Sequence, residues 1–183
     1  MAASELTVTN GATPGTPGGG DTTVFVNTSK HLSTVNDAGL ATTPWEKTTT
    51  QTSPSDPTGT TNTTGLMAGI GASFTPTFSG NVLIVVSGNM TNSGATAGQG
   101  AKAQIRLGTG TAPANGDALT GTAYGTMQTG TLMRATADLI PFSIQAIVTG
   151  LVVATAYWID LQVAALTSGT GQVKNLSVSA AEQ

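Results

Sequence analysis

One histidine, nine carboxylates and no cysteine are the side chains from which any reaction chemistry would have to be assembled. His31 stands between Ser29 and Ser33, and a Ser-His-Asp triad would need it as the general base. It falls in a polar N-terminal stretch ahead of the apolar strands, so the sequence places it on a solvated hairpin. The carboxylates Glu5, Asp21, Asp37, Glu46, Asp56, Asp117, Asp138, Asp160 and Glu182 are spread along the chain. Glycoside hydrolysis needs two of them roughly 5 to 10 Å apart in a cleft. Asp138 and Asp160 are the one pair on adjacent predicted strands, and Asp138 falls at a strand end. Gly108-Thr-Gly110 has neither the following helix nor the lysine of a phosphate loop, so it reads as a turn. Asn115-Gly-Asp117 offers oxygens to a calcium ion without a carboxylate cluster. The expectation is a protein that is not an enzyme, with no catalytic residue, no cofactor and no metal.

Recognition chemistry rests on few rings, since aromatics make up 4% of the chain. Trp45, Tyr124 and Trp158 are the platforms on which a sugar could stack. Phe25 and Trp45, set among Thr, Gly and Pro, read as packing pegs for attachment to a larger particle.

The elements that must position these residues are strands. Gly80-Asn-Val-Leu-Ile-Val-Val-Ser-Gly-Asn-Met-Thr91 holds five consecutive apolar residues between turn formers, mostly β-branched. Such a run reads as a strand covered on both faces. From Leu66 to Phe78 the even positions are apolar, or Pro76, and the odd ones mostly Gly, Ser and Thr, which is the period of a strand with one buried face. Further strands are predicted over 101–107, 119–128, 132–137, 139–148, 156–163 and 176–180. Pro141 cannot donate to a ladder and sets its strand at an edge, or starts it just after the proline. On 156–163, Tyr157, Ile159, Leu161 and Val163 share one face, while Trp158, Asp160 and Gln162 share the other. Seven or eight strands without a helical pattern imply an all-β, antiparallel sandwich. The missing Cys…Trp…Cys frame favours a jelly roll over an immunoglobulin-like fold.

Upstream of Gly65 the composition changes. Residues 1–20 form a Gly- and Pro-rich arm, 22–26 and 31–35 a short hairpin, and 41–64 a Thr- and Pro-rich linker anchored by Trp45. The expected organisation is therefore 1–64 as arm, hairpin and linker, and 65–183 as the sandwich. Charged residues are only 8% of the chain and the net charge is −3, with the six basic residues scattered, so no nucleic-acid footprint is present. No apolar run spans a bilayer and no signal peptide opens the chain, so no membrane partner is expected. The four Asn-X-Ser/Thr sequons, at Asn27, Asn62, Asn89 and Asn175, are read as chance in a Thr-rich sequence. Apolar residues on both faces of 82–86 and 139–147, with few charges to solvate the second, point to a homotrimer.

Two stretches carry a resemblance. Residues 17–39, with an apolar strand, a turn, a second strand and an Asn36-Asp-Ala-Gly39 turn, look like a hairpin module of tailed-bacteriophage fibre and appendage proteins. Phe74-Thr-Pro-Thr-Phe-Ser-Gly80 before an apolar strand, Gly150 to Leu161, and Asn175 to Glu182 resemble jelly-roll domains of phage virion proteins. The resemblance implies a trimeric capsid decoration protein, head fibre or tail fibre, assembled into the virion in the host bacterial cytoplasm. Its partners would be copies of itself and the major capsid protein or another virion protein, with residues 1–64 as the attachment arm and Phe25 and Trp45 as its pegs. The alternative is a tail fibre that recognises host surface glycans through Tyr124 and Trp158. Fibres of that kind are usually much longer, and the expectation is a chain complete at 183 residues. A free carbohydrate-binding module is the third possibility.

Overall fold

The computed structural model describes residues 18, 22–26, 32–36, 41–42, 47–94, 96, 98–131 and 138–183. They divide into two units, Met1–Lys47 and Thr48–Gln183. In the first, β1 (Thr22–Val26) and β2 (Leu32–Asn36) form the expected antiparallel hairpin, and β3 (Ala41–Thr42) pairs with β2. Phe25, opposite Ser33 in register, is buried together with Ser33 and Val35, while Val24 points outward. That alternation is what a strand with one covered face requires.

The second unit contains β4 (Thr49–Thr52), β5 (Leu66–Met67), β6 (Ala72–Phe74), β7 (Val82–Asn92), β8 (Gly100–Thr109) and β9 (Thr122–Thr131). It continues with β10 (Ile140–Val148), β11 (Tyr157–Ala165) and β12 (Gly171–Glu182). One sheet has the order β10-β7-β12-β4. The other has the order β5-β11-β8-β9, with β6 also on β11, and the pairings in both are antiparallel. Counting β5 and β6 as one interrupted strand, each sheet has four strands, and every connection except the β8–β9 hairpin passes from one sheet to the other. This is the double Greek key of a jelly roll, the expected fold. Between the sheets, Val82, Ile84, Val86 and Met90 of β7 meet Ala101, Ala103, Ile105 and Leu107 of β8 and Ile159, Leu161 and Val163 of β11 in one core. Each large aliphatic side chain there stabilises the fold by roughly 1.5–3 kcal/mol.

Three expectations are corrected. The domain boundary is at 47/48 rather than 64/65, because β4 pairs with β12 and Thr60 bridges Gly171. A Thr-Thr-Gln-Thr edge strand has no apolar face to reveal it. The predicted strand 66–78 is broken at 68–71, where Gly69 and Gly71 have φ of 67° and 64°. A Cβ on Gly69 would collide with the backbone of Asn115, so only glycine fits there. The last strand begins at Gly171, earlier than expected, and bulges between Lys174 and Ser177, with Asn175 at φ 51°. The predicted strand 132–137 lies outside the described residues.

Candidate functional site

The two carboxylates weighed as a pair and set aside, Asp138 and Asp160, are separated by the topology. Asp138 precedes β10 and Asp160 is on β11, in different sheets. Asp160 is instead a structural pin, 1% exposed. Its Oδ2 accepts the Gly69 N–H (3.0 Å) and its Oδ1 accepts the N–H groups of Ile70 (3.2 Å) and Leu161 (2.7 Å). These bonds hold the break between β5 and β6. Burial pushes the Asp160 carboxyl above its ordinary range and the nearby Asp117 charge adds to this, against the lowering effect of the three N–H donors.

A second buried carboxylate closes the opposite sheet. Glu182, 3% exposed, receives the N–H groups of Phe78 and Ser79 at 2.6 Å each and of Gly80 at 3.3 Å on Oε1. On Oε2 it receives the N–H groups of Thr77 (3.1 Å) and Thr48 (3.3 Å) and the Thr77 hydroxyl (3.1 Å). Burial alone raises its pKa, but the donors from Phe78, Thr77, Ser79 and Thr48 outweigh that and hold it down at about 2. Neither role is announced by sequence. Ser79-Gly80 signals a turn, whereas the carboxylate that fills it comes from more than 100 positions away.

On the outer face of the β5-β11-β8-β9 sheet, β11 and part of β8 are covered by the protein's own loops, while β9 is mostly exposed. Arg106 donates from Nε (3.2 Å) and Nη2 (2.9 Å) to Gln162 Oε1, and from Nη1 to the carbonyls of Thr120 (3.3 Å) and Gly121 (3.0 Å). Gln162 Nε2 donates to Thr64 O (2.9 Å) and Lys102 Nζ to Thr63 O (3.0 Å). Residues 110–121 form a strap that reaches the edge strand. Met67 N–H donates to Asp117 O (3.0 Å), Gly116 N–H donates to Met67 O (2.9 Å), and Asn115 Nδ2 donates to Ala68 O (2.9 Å).

The stacking residues of the glycan reading fall beneath or beside this cover. Trp158 is 5% exposed, its ring packed where a side chain on Gly108 or Gly121 would stand, and its indole N–H donates to Thr109 O (3.1 Å). That corrects the expectation of an open platform, since a ring under a strap offers no face to a sugar. Tyr124 is half-buried against the core. Phe25 is buried in the first unit. Trp45 and His31 lie outside the described residues. A cavity of about 50 Å³, lined by Thr58, Met67, Asn115 and Val163 among others, is of a size for water. Among the described residues, no three His, Cys, Asp or Glu side chains are grouped to hold a metal ion.

The outer face of the β10-β7-β12-β4 sheet is different in kind. One row across it runs Ile147, Leu83, Ala181, Thr49, and the next runs Gln145, Val85, Ser179, Gln51. Ile147 is 68% exposed, with Leu83 and Val85 half-buried beside it. Lys174, at the far end, is the one charged residue among these outward positions. Beside the apolar end lie Phe78 and Val152, both exposed, on two loops joined by Leu151 N–H to Gly80 O (2.9 Å) and Ala154 N–H to Pro76 O (2.8 Å).

No protein-family model matches the chain, and no curated protein matches it. Among solved structures it is similar to a chain in the structure of infectious bursal disease virus, Gx strain, with 13% identity and a TM-score of 0.34. The match covers 83% of this chain and 35% of the viral one, so this chain spans little more than a third of its length.

Proposed function

We propose that this chain is a non-enzymatic structural protein of a tailed-phage particle, a homotrimer that decorates the capsid or projects from it. The Met1–Lys47 unit is its attachment arm, with Trp45 as the peg, whereas the buried Phe25, expected as a second peg, packs its own hairpin instead. Its partner is the major capsid protein or another virion protein. The observation that carries this reading is the contrast between the two outer faces of the sandwich. One is covered over β11 by loops 58–65 and 110–121, whereas the other is open and nearly uncharged, with an apolar corner at Ile147, Leu83 and Val85. In a trimer this face would meet a different surface of the next copy, head to tail. An uncharged face does so without like-charge repulsion, and such a contact closes into a ring when the rotation allows. Jelly rolls also serve as lectins, but the burial of Trp158 removes the most specific support for the glycan alternative.

The test is Ile147→Asp in the full chain. Light scattering coupled to size exclusion should give three times 18.1 kDa for the parent and a monomer for the variant. The variant should still unfold in one cooperative melt, at a lower temperature than the parent by the stabilisation that assembly supplies, so that loss of the trimer is distinguished from loss of the fold. Particles lacking the protein should be decorated by the parent and not by the variant. A monomeric parent at micromolar concentration would end the trimer reading.

A further inference from the structure

We propose that Asn115 is a deamidation site whose reaction is gated by the strap, and that its conversion to aspartate or isoaspartate releases residues 110–121 from the sheet edge. Asn115 is followed by Gly116. With no Cβ on the following residue, its backbone nitrogen meets the least obstruction in approaching the asparagine side chain. In the reaction the Gly116 nitrogen bonds to Asn115 Cγ and gives up its proton, and the Cγ–Nδ2 bond breaks. The amide nitrogen leaves as ammonia, taking up that proton equivalent. Water then opens the cyclic imide at either carbonyl, giving aspartate or isoaspartate. The sum is asparagine plus water to aspartate plus ammonia, with no redox change.

The folded loop holds both reacting groups away from this course. Asn115 Nδ2 donates to Thr58 O (3.1 Å) and Ala68 O (2.9 Å), and Gly116 N–H is paired to Met67 O (2.9 Å). Gly69 abuts the Asn115 backbone so closely that a side chain there would collide. Ring closure therefore requires the strap to lift, and the rate reports its opening. The product cannot reseat. Its carboxylate replaces a two-fold donor and faces two carbonyl oxygens without a proton to offer. It also adds negative charge beside Asp117, whose charge already reaches Asp160. Isoaspartate in addition lengthens the main chain by a methylene between Asn115 and Gly116, breaking the register with Met67. A released strap uncovers Trp158 and the Arg106 guanidinium, which Thr120 and Gly121 otherwise cap.

The experiment incubates the full chain at mildly alkaline pH, with and without urea, and maps the one-mass-unit gain and the isoaspartate at position 115 by peptide mass spectrometry. Conversion in the folded protein should be at least about tenfold slower than in the unfolded chain. In a Trp45→Phe background, Asn115→Asp should shift Trp158 emission to the red and lower the melting temperature. Equal rates with and without urea overturn the gating. Unchanged emission and melting in Asn115→Asp overturn the release.

Discussion

Glu182 and Asp160 are both buried carboxylates, each gathering backbone N–H groups from a glycine-containing turn, and each in a different sheet. Their protonation equilibria nevertheless move in opposite directions. Glu182 faces five N–H groups and a hydroxyl, two of the N–H contacts at 2.6 Å, and its pKa falls to about 2. Asp160 faces three N–H groups, one of them from the adjoining residue, and its pKa rises. Burial raises both. The number and directness of the donors decide whether the anion is favoured over that cost.

The comparison breaks first at Glu182. Glutamine there keeps one acceptor oxygen but turns an NH2 toward N–H groups. By linkage, a folded pKa of about 2 against an ordinary 4.5 contributes about 3 kcal/mol at neutral pH. Glu182→Gln should lose on that order in urea unfolding. Because the folded pKa is the lower one, the contribution is whole above the unfolded value of 4.5 and is lost as pH falls toward 2. The difference between parent and variant should shrink over that window. A constant difference would mean that the carboxylate charge is not what holds the 77–80 turn.

Asp160→Asn should cost less, on the order of 1 kcal/mol at neutral pH, because the amide oxygen retains the donors of Ile70 and Leu161 and only the Gly69 N–H loses its acceptor, facing an NH2 donor instead. Its pH dependence should have the other sign. A raised folded pKa contributes stability below the ordinary value of 3.8, and this is lost as pH rises through the folded pKa. The cost of Asp160→Asn should therefore grow as the solution is acidified, while that of Glu182→Gln declines. Parallel pH profiles for the two variants would refute the distinction.

The smallest effect belongs to Thr77→Val, which removes the hydroxyl donor to Glu182 and its bond to the Thr48 hydroxyl (2.7 Å) but leaves the backbone donors in place. A loss of about 0.5–1 kcal/mol is expected, the net worth of an ordinary hydrogen bond. A loss as large as that of Glu182→Gln would show that the hydroxyl, and not the set of N–H groups, carries the site.

The alternation of apolar and polar residues in 101–107, 139–148 and 156–163, and the unbroken apolar run 82–86 between turn formers, determined these strands. A two-residue period is a local property that burial between sheets requires. The same local logic let the absence of a cysteine frame point to a jelly roll, and it separated Trp158, Asp160 and Gln162 from the core face. It could not show what covers them. The strap over Trp158 starts in a turn between β8 and β9 and is latched to β5, an element some 50 positions earlier in the chain. Nor could it find β4, whose four polar residues are held by ladder hydrogen bonds to β12 rather than by an apolar face. The break at Gly69 falls within an unbroken alternation and exists because Asp160 takes the freed N–H groups. The caging of Glu182, the covering of β11 on one outer face and the opening of the other face were decided by tertiary structure alone. A carboxylate's partners, like a strap's landing place, depend on which backbone groups the fold leaves unpaired within reach, and no local pattern encodes that.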